Sequence, residues 1–369
     1  FLHDLAAACA TLGLQQTLLV HHHQRGRKTL EEPFATPGGA PCRVVRVRSY
    51  GQWLYAPVSP GFGRRLAHEV RTQRPDLIVA HMPNTSAFWL LTCPACRHIP
   101  WVLHWHADVL GPNVSGPLRL AYQGYRQLER ALLSRAAAVV ATSPSYLATS
   151  EPLRRWQRKA RVIPLGLDPA RVKSVAEPAK MKIWPSSQDL RLLSVGRFAP
   201  YKGYPHLIEA VARTPGVALI LAGGGSPDPV IARRVRARDL EGRVRILGGA
   251  TDLERNWLLQ HCDLLCLPST NRNEAFGLVL LEAMALAKPA LVTRVPGSGM
   301  SWVVENGKTG WHVNPGDPGM LADRLAWIRD HPDALQACAA NARARFEERF
   351  DIAAVARRSV RLYEDVLSR

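Results

Sequence analysis

The strongest constraint on this chain is a pattern. Short apolar runs alternate with helix-length segments, in two successive series. In the first series the strand-like runs are Gln16–Val20, Arg43–Val47, Pro75–His81, Trp101–Trp105, Ala137–Ala141 and Arg161–Leu165. Helical stretches at 2–13, 63–73, 86–93 and 118–135 separate them, and Ser143-Pro144 opens a short further helix. Residues 21–62 read as loops around the single strand at 43–47. From Asp168 to Asp189 the pattern dissolves into Pro, Lys and Ser, the composition of a linker. The second series has strand-like runs at 191–195, 217–222, 244–247, 263–267 and 289–293, then helices at 320–329, 332–349 and 351–367. Uniformly apolar runs suit strands covered on both faces. Strand–helix alternation with short connections builds parallel sheets between helices. The expectation is an α/β chain of two Rossmann-like, doubly wound parallel-sheet domains facing a cleft.

At 369 residues the chain is long enough for two domains. No apolar run reaches the length of a membrane span. The start, Phe1-Leu-His-Asp-Leu5, lacks a basic region and a cleavage site, so no signal peptide is visible. It is not Met, and the natural chain is expected to begin upstream. The net charge of +18 is uneven. Residues 1–167 hold 20 Lys and Arg against 8 Asp and Glu, a net +12. Arg64, Arg65, Arg126, Arg130, Arg154 and Arg155 belong to this excess. Such a face attracts anionic lipid, nucleic acid or a phosphorylated substrate, unless it is simply a solvated surface. The seven cysteines are scattered, which suggests a reducing compartment without structural disulfides. Cys93-Pro-Ala-Cys96 is a lone CxxC with no second pair to complete a zinc site. His21-His22-His23 point different ways and make a poor metal cluster.

Ligands of open α/β sheets bind beyond the carboxyl ends of the strands. Five loops occupy such positions, Val295–Gly310 among them. Pro268-Ser-Thr-Asn-Arg-Asn-Glu-Ala-Phe-Gly277 leads from a strand into a helix expected to start near Glu274 or Phe276. Seven residues separate Glu274 from Glu282, a helical rise of about 12 Å. That span suits a sugar hydroxyl at one end and a ribose diol at the other. Between them Phe276, Gly277 and Leu278 offer a helix N-terminus to a diphosphate. Glu282 sits in an otherwise apolar helix and is not expected to be free in solvent. Gly196-Arg-Phe-Ala-Pro-Tyr-Lys-Gly203 turns sharply at Gly196 and puts Arg197 and Lys202 at a strand end. A guanidinium fork and a mobile ammonium suit a diphosphate. Gly223-Gly-Gly-Ser-Pro-Asp228 lacks the last glycine of a dinucleotide fingerprint and reads as a tight turn. In the first series, His106 of Leu103-His104-Trp-His-Ala-Asp108 is either a satisfied core residue or a donor to a sugar hydroxyl. Asp108 would then orient it or meet the acceptor.

These stretches resemble family 4 of the retaining glycosyltransferases, the group 1 enzymes of GT-B architecture. Ser269–Ala287 is similar to the family's E-x7-E signature, and Gly196–Gly203 to its G-R-x4-K-G phosphate loop. His106-Ala-Asp108 is similar to its H-x-D segment. Residues 295–310 are similar to another family loop, with Trp302 where many members carry an acid. The resemblance covers residues 2–365, with Phe1 already in the helix that follows the family's first strand, so that the first strand of the N-terminal domain is expected to be missing. It implies an acceptor-binding domain at 1–167, a donor-binding domain at 168–350, and a C-terminal helix, 351–369, packing back on the first. It further implies sugar transfer from a nucleoside diphosphate sugar to a hydroxyl, with retention, in surface polysaccharide or lipopolysaccharide synthesis, by a mannosyl- or glucosyltransferase. His106, Arg197, Lys202 and Glu274 would be catalytic; Gly196, Phe276, Gly277, Leu278 and Glu282 would hold the donor. No Asp-x-Asp occurs in the sequence, so no metal or other cofactor is expected. The expected partners are the nucleotide-sugar donor, a lipid-linked or saccharide acceptor and an anionic membrane surface, without nucleic acid. The expected location is the cytoplasm, peripheral on the inner face of the membrane. Alternatives are a sugar-nucleotide epimerase or hydrolase, a basic nucleic-acid-binding protein without a recognisable module, and a nicotinamide oxidoreductase weakened by the broken glycine fingerprint.

Overall fold

The apolar runs become strands wherever helices cover both of their faces. A computed structural model describes residues 1–34, 38–53, 56–109, 116–172, 184, 190–225 and 229–369. The chain divides into two units, Phe1–Leu165 with Ile352–Arg369, and Gly166–Asp351. Most of the linker read at 168–189, and Ser226, Pro227 and Asp228 of the glycine turn, lie outside the described residues.

The first unit starts with helix α1 (Leu2–Thr11), closed by Gly13 at φ +91°. Strands β1 (Gln16–His21), β2 (Leu30–Phe34) and β3 (Cys42–Val47) form a sheet in the order β1-β3-β2. β1 and β3 are parallel and β2 is antiparallel, pairing Glu31 with Val45. The hairpin β4 (Gln52–Trp53) and β5 (Ala56–Pro57) follows. The described residues of 21–62 therefore hold four strands besides the end of β1, where one was expected. β2 has an edge composition, charged and containing Pro33. Its carboxylates earn their place by pairing: Glu31 meets Arg43 at 2.9 Å and Glu32 meets Arg46 at 2.9 Å.

Helix α2 (Phe62–Gln73) leads to β6 (Ile78–Met82). The stretch expected as one helix at 86–93 is a 3-10 turn, Thr85–Phe88, capped by Asn84, and then the short helix α3 (Trp89–Thr92). Next come β7 (Trp101–Trp105), α4 (Gly116–Arg135), β8 (Ala138–Ala141), α5 (Pro144–Thr149) and β9 (Ala160–Val162). β6 to β9 form a parallel sheet in chain order. Ser143 caps α5 by accepting from the Tyr146 N–H.

The second unit alternates without a break: β10 (Leu190–Val195), α6 (Tyr204–Arg213), β11 (Val217–Gly223), α7 (Pro229–Arg236), β12 (Val244–Gly248), α8 (Asp252–His261), β13 (Leu264–Leu267), α9 (Leu278–Ala285), β14 (Ala290–Thr293), α10 (Met300–Val303), β15 (Gly310–Val313), α11 (Pro318–Asp330) and α12 (Pro332–Arg349). All adjacent strand pairs are parallel, in the order β12-β11-β10-β13-β14-β15. This is the doubly wound arrangement, with its reversal between β10 and β13. Every residue of β11, β13 and β14 is buried. β15 is not among the strand-like runs read from the sequence, because Gly310 and His312 interrupt its apolar character. The glycine is required there, since a Cβ would lie 2.0 Å from the Ala290 carbonyl oxygen.

Helix α13 (Ile352–Leu367) returns to the first unit and packs on α1. Leu5, Cys9, Val355 and Tyr363 share one core there.

Candidate functional site

The reversal between β10 and β13 creates a crevice at their carboxyl ends, and the loops leaving those two strands are the two most distinctive segments of the sequence. The first loop is Gly196–Gly203. Gly196 continues the pairing of β10 with β11, donating to the Ala222 carbonyl at 2.9 Å. A Cβ at Gly196 would lie 2.7 Å from both Cε and Nζ of Lys202, so the lysine is laid across bare backbone. Tyr204 Oη donates to the Gly196 carbonyl at 3.1 Å and holds the turn. Gly203, at φ +70°, passes under the second loop so closely that a Cβ would meet the Pro268 oxygen at 2.0 Å.

The second loop, Pro268–Gly277, is laced to the first. The Thr270 N–H donates to the Tyr201 carbonyl at 2.7 Å. Lys202 Nζ pairs with Glu274 Oε2 at 2.5 Å, and Ser269 Oγ donates to the same oxygen at 3.2 Å. Ser298 Oγ donates to the Glu274 carbonyl. Lys202 and Glu274 side chains are 9% and 12% exposed, a nearly desolvated ion pair. Arg197 differs: it is exposed, and its guanidinium has no hydrogen-bond or ionic partner among the described residues.

Helix α9 begins at Leu278, not near Glu274 or Phe276 as expected. Gly277 at φ +82° is its N-cap and has no side chain to satisfy the first-turn N–H groups. Glu274 therefore sits in the turn before the helix, and eight helical steps do not separate it from Glu282. The Phe276 side chain is buried, edge-on to Phe350, and offers a ligand only backbone. Leu278 is exposed at the helix start. Glu282 lies one turn along, mostly buried, with Arg255 Nε of α8 at 3.4 Å. Burial pushes its carboxyl pKa up, and Arg255 opposes the shift. Arg255 is also held by Asp252 at 2.7 Å.

His106 belongs to the first unit. Its backbone N–H donates to the Met82 carbonyl at 2.9 Å, and its Nε2 meets His81 Nδ1 at 2.9 Å. His104 Nε2 meets Tyr363 Oη at 3.1 Å. Burial pushes the pKa of His106 down to about 4 and that of His104 to about 3, so both are neutral imidazoles near pH 7. Asp108 Oδ1 accepts from Trp105 Nε1 at 2.8 Å and from Ser150 Oγ at 2.7 Å. His81 is thus the side chain hydrogen-bonded to the His106 ring. Cys93 and Cys96 are buried free thiols, and no cluster of three metal-ligating side chains occurs among the described residues. Trp302 of α10 offers its carbonyl to Arg345, which donates to it at 2.7 Å.

The sequence reading missed Tyr204, Ser269, Ser298, Arg255 and His81. Each acts by holding another residue, and only Ser269 lies within the same short loop as its partner.

An order-reversing parallel sheet, with a lysine–carboxylate pair and a free arginine at its reversal, defines the class: a doubly wound protein built to take an anionic ligand at its strand ends. Comparison with known proteins identifies the family. Residues 1–166 match the family model of the glycosyl transferase 4-like domain, and residues 177–345 that of the glycosyl transferases group 1. The chain belongs to the group 1 glycosyltransferases. It is 32% identical over 254 residues to D-rhamnosyltransferase WbpZ of Pseudomonas aeruginosa, covering 68% of this chain and 64% of that protein. It is 30% identical over 244 residues to O-antigen chain mannosyltransferase C of Escherichia coli, covering 66% and 64%. The chain thus spans less than two thirds of the length of either. To a phosphatidyl-myo-inositol mannosyltransferase of Mycolicibacterium smegmatis it is 30% identical, covering 79% of this chain and 71% of the relative. Sucrose-phosphate synthase of Thermosynechococcus elongatus shares the fold, with a TM-score of 0.78 at 24% identity over 99% of this chain and 92% of that one. Anabaena HepE, solved with UDP, superposes with a TM-score of 0.71 at 21% identity over 95% of this chain and all of that one. The GT-B fold expected from the sequence is the fold these matches show.

Proposed function

We propose that this protein transfers a sugar from a nucleoside diphosphate sugar to a hydroxyl of a saccharide or lipid-linked acceptor, with retention, in surface polysaccharide or lipopolysaccharide assembly. The observation that carries this is the Lys202–Glu274 pair at the strand-order reversal, with Arg197 unpaired beside it. Arg197 and Lys202 meet the diphosphate and stabilise the charge that grows on it as the sugar departs. Glu274, released from Lys202, accepts from a sugar hydroxyl. Glu282 accepts from the ribose, and the uncapped start of α9 supplies N–H groups to the phosphates. Neutral His106 donates to the sugar. No carboxylate nucleophile stands out, so front-face attack with the donor phosphate taking the acceptor proton is the mechanism proposed. These cations and amides do the work of a metal clamp, so transfer proceeds in EDTA. The names of relatives, rhamnosyl- and mannosyltransferases, support the substrate class, and UDP bound to HepE supports the donor class.

The test is thermal stabilisation by a panel of nucleotide sugars, followed by transfer to lipopolysaccharide-derived acceptors with NMR of the new anomeric centre. Stabilisation by one nucleotide sugar and an anomer of the donor's configuration support the proposal. An inverted anomer refutes retention. Free sugar or an epimer without acceptor favours a hydrolase or epimerase.

A further inference from the structure

A second cavity lies wholly in the first unit, on its flank. It has a volume of about 370 Å³ and is formed between the carboxyl half of α4 and the segment from Glu151 to Trp156. Lys159, just beyond that segment, donates to the Ser134 carbonyl at 3.0 Å and the Ala136 carbonyl at 2.7 Å, and so ties the segment to the end of α4 near the amino ends of β8 and β9. His106 follows the carboxyl end of β7, the opposite end of that sheet. None of the loops that the proposed transfer uses contributes a lining residue, although Asp108, two residues after His106, accepts from Ser150 next to Glu151.

Its lining is dominated by arginine. Arg126 and Arg130 project from α4, and Arg154 and Arg155 come from the facing segment. Arg126 pairs with Glu151. Arg130, Arg154 and Arg155 have no ionic partner among the described residues. Three unpaired guanidinium forks around one small cavity repel one another unless an anion joins them, and their geometry matches phosphate oxygens bidentately. The volume falls at the small end of ligand pockets.

We infer that this cavity is a second anion site that binds a phosphate or diphosphate group, independent of the donor site. The group belongs either to a soluble phosphate ester or to a lipid headgroup; the chemistry recognised is the same. One feature of the lining makes binding proton-linked. Glu129 is buried on the cavity wall, its Oε2 accepting from Tyr122 Oη at 3.0 Å while its Oε1 has no partner. Tyr125 Oη beside it is also without a partner. The charges that act on Glu129 are Arg126 of its own helix, Glu151 of the facing segment and Asp108. Burial raises its pKa to about 7, Tyr122 opposes, and Asp108 and Glu151 add to the rise. An arriving anion favours the protonated carboxyl further, so affinity rises as pH falls through 7.

The test uses pyrophosphate and calorimetry on the whole chain carrying Arg197→Ala and Lys202→Ala, so that the donor site does not compete. One saturable site is expected. Adding Arg130→Ala and Arg154→Ala weakens it at least tenfold, with circular dichroism unchanged because Arg154 is exposed. Glu129→Gln reduces the affinity ratio between pH 6 and pH 8 by up to about tenfold relative to its parent, one unit of lost linkage. The ligand's own titration is common to both proteins and cancels. No saturable binding, or binding unchanged by loss of Arg130 and Arg154, overturns the inference. Vesicles of phosphatidylglycerol and phosphatidylcholine then separate the sources. Vesicle binding lost with Arg130 and Arg154 and displaced by pyrophosphate assigns the site to a lipid headgroup. Pyrophosphate binding lost with those arginines while vesicle binding persists assigns it to a soluble phosphate.

Discussion

Replacing Lys202 by Met removes one partner from a pair in which both side chains are about nine-tenths buried. Glu274 then keeps only the Ser269 hydroxyl. Breaking a buried pair from one side costs about 3–5 kcal/mol, chiefly because the remaining charge stays desolvated. For a unit of the size of Gly166–Asp351 this lowers the melting temperature by roughly 6–20 °C. Adding Glu274→Gln removes the stranded charge, and most of the loss should return, since a neutral amide can still accept from Ser269. Activity should not return with it. In the proposed transfer Lys202 meets the charge that develops on the diphosphate, and losing one such contact costs about 10²–10³ in turnover. The assay is a pair of measurements on three proteins: denaturant unfolding followed by fluorescence, and initial rates with saturating donor. Stability restored with activity lost is the expected signature. Near-parental turnover in the double variant would refute the catalytic assignment. A single-variant cost below about 1 kcal/mol would show that the pair is solvated and that the two loops are held by other contacts.

Glu282→Gln should weaken donor binding by about 1.5–3 kcal/mol, read by calorimetry with the nucleotide alone; unchanged affinity would make the Glu282–Arg255 contact purely structural. The first unit should be acid-labile. His104 has a folded pKa of about 3 against an ordinary 6.5, so between those values the unfolded chain binds the extra proton and stability falls as pH drops. His104→Gln, which keeps a partner for Tyr363 Oη, should move the acid midpoint lower in a circular dichroism titration, and an unmoved midpoint would clear His104 of that role. The net +12 of residues 1–167 should give liposome binding that requires anionic lipid and declines with salt, at about 1 kcal/mol per basic residue near the surface; equal sedimentation with neutral vesicles would count against it. Among the described residues no helix is long and apolar enough to cross a membrane.

Much of the fold was readable because parallel strands buried on both faces are uniformly apolar, as in Val217–Gly223. The elements that escaped break that rule. β2 is an edge strand whose charges are matched across the sheet by Arg43 and Arg46, a fact visible only after folding. β15 needs a glycine at its start for close approach to Ala290, and that glycine hides the strand's apolar pattern. The start of α9 was placed too early because Glu274 looks like a first-turn acid. In the structure its carboxylate turns back to Lys202 instead. The same contrast holds in the site. Gly196, Arg197, Lys202, Glu274 and Gly277 stand in two contiguous loops, and contiguous spacing is what a sequence displays. Ser298 reaches Glu274 across 24 residues and His81 reaches His106 across 25, so neither pairing leaves a local signature.

The distribution of charge at the strand ends bears on how a ligand would enter. Lys202 is held by Glu274, and Arg255 lies against Glu282 and Asp252. Arg197 alone among these cations has no such partner. A diphosphate approaching the crevice therefore meets Arg197 and the N–H groups of α9 first. It gains Lys202 only by drawing the ammonium from Glu274, and that exchange leaves the carboxylate needing a new donor. A sugar hydroxyl is such a donor. On this reasoning a nucleoside diphosphate without its sugar strands Glu274, whereas the complete donor satisfies both members of the pair at once. The site then favours the intact nucleotide sugar over its own leaving group, which is the direction product release requires. Glu274→Gln, which has no charge to strand, should narrow that preference by tightening the nucleoside diphosphate more than the nucleotide sugar. Competition binding of the two ligands to parent and variant measures the difference, and an equal change in both affinities would show that Lys202 and Glu274 never part.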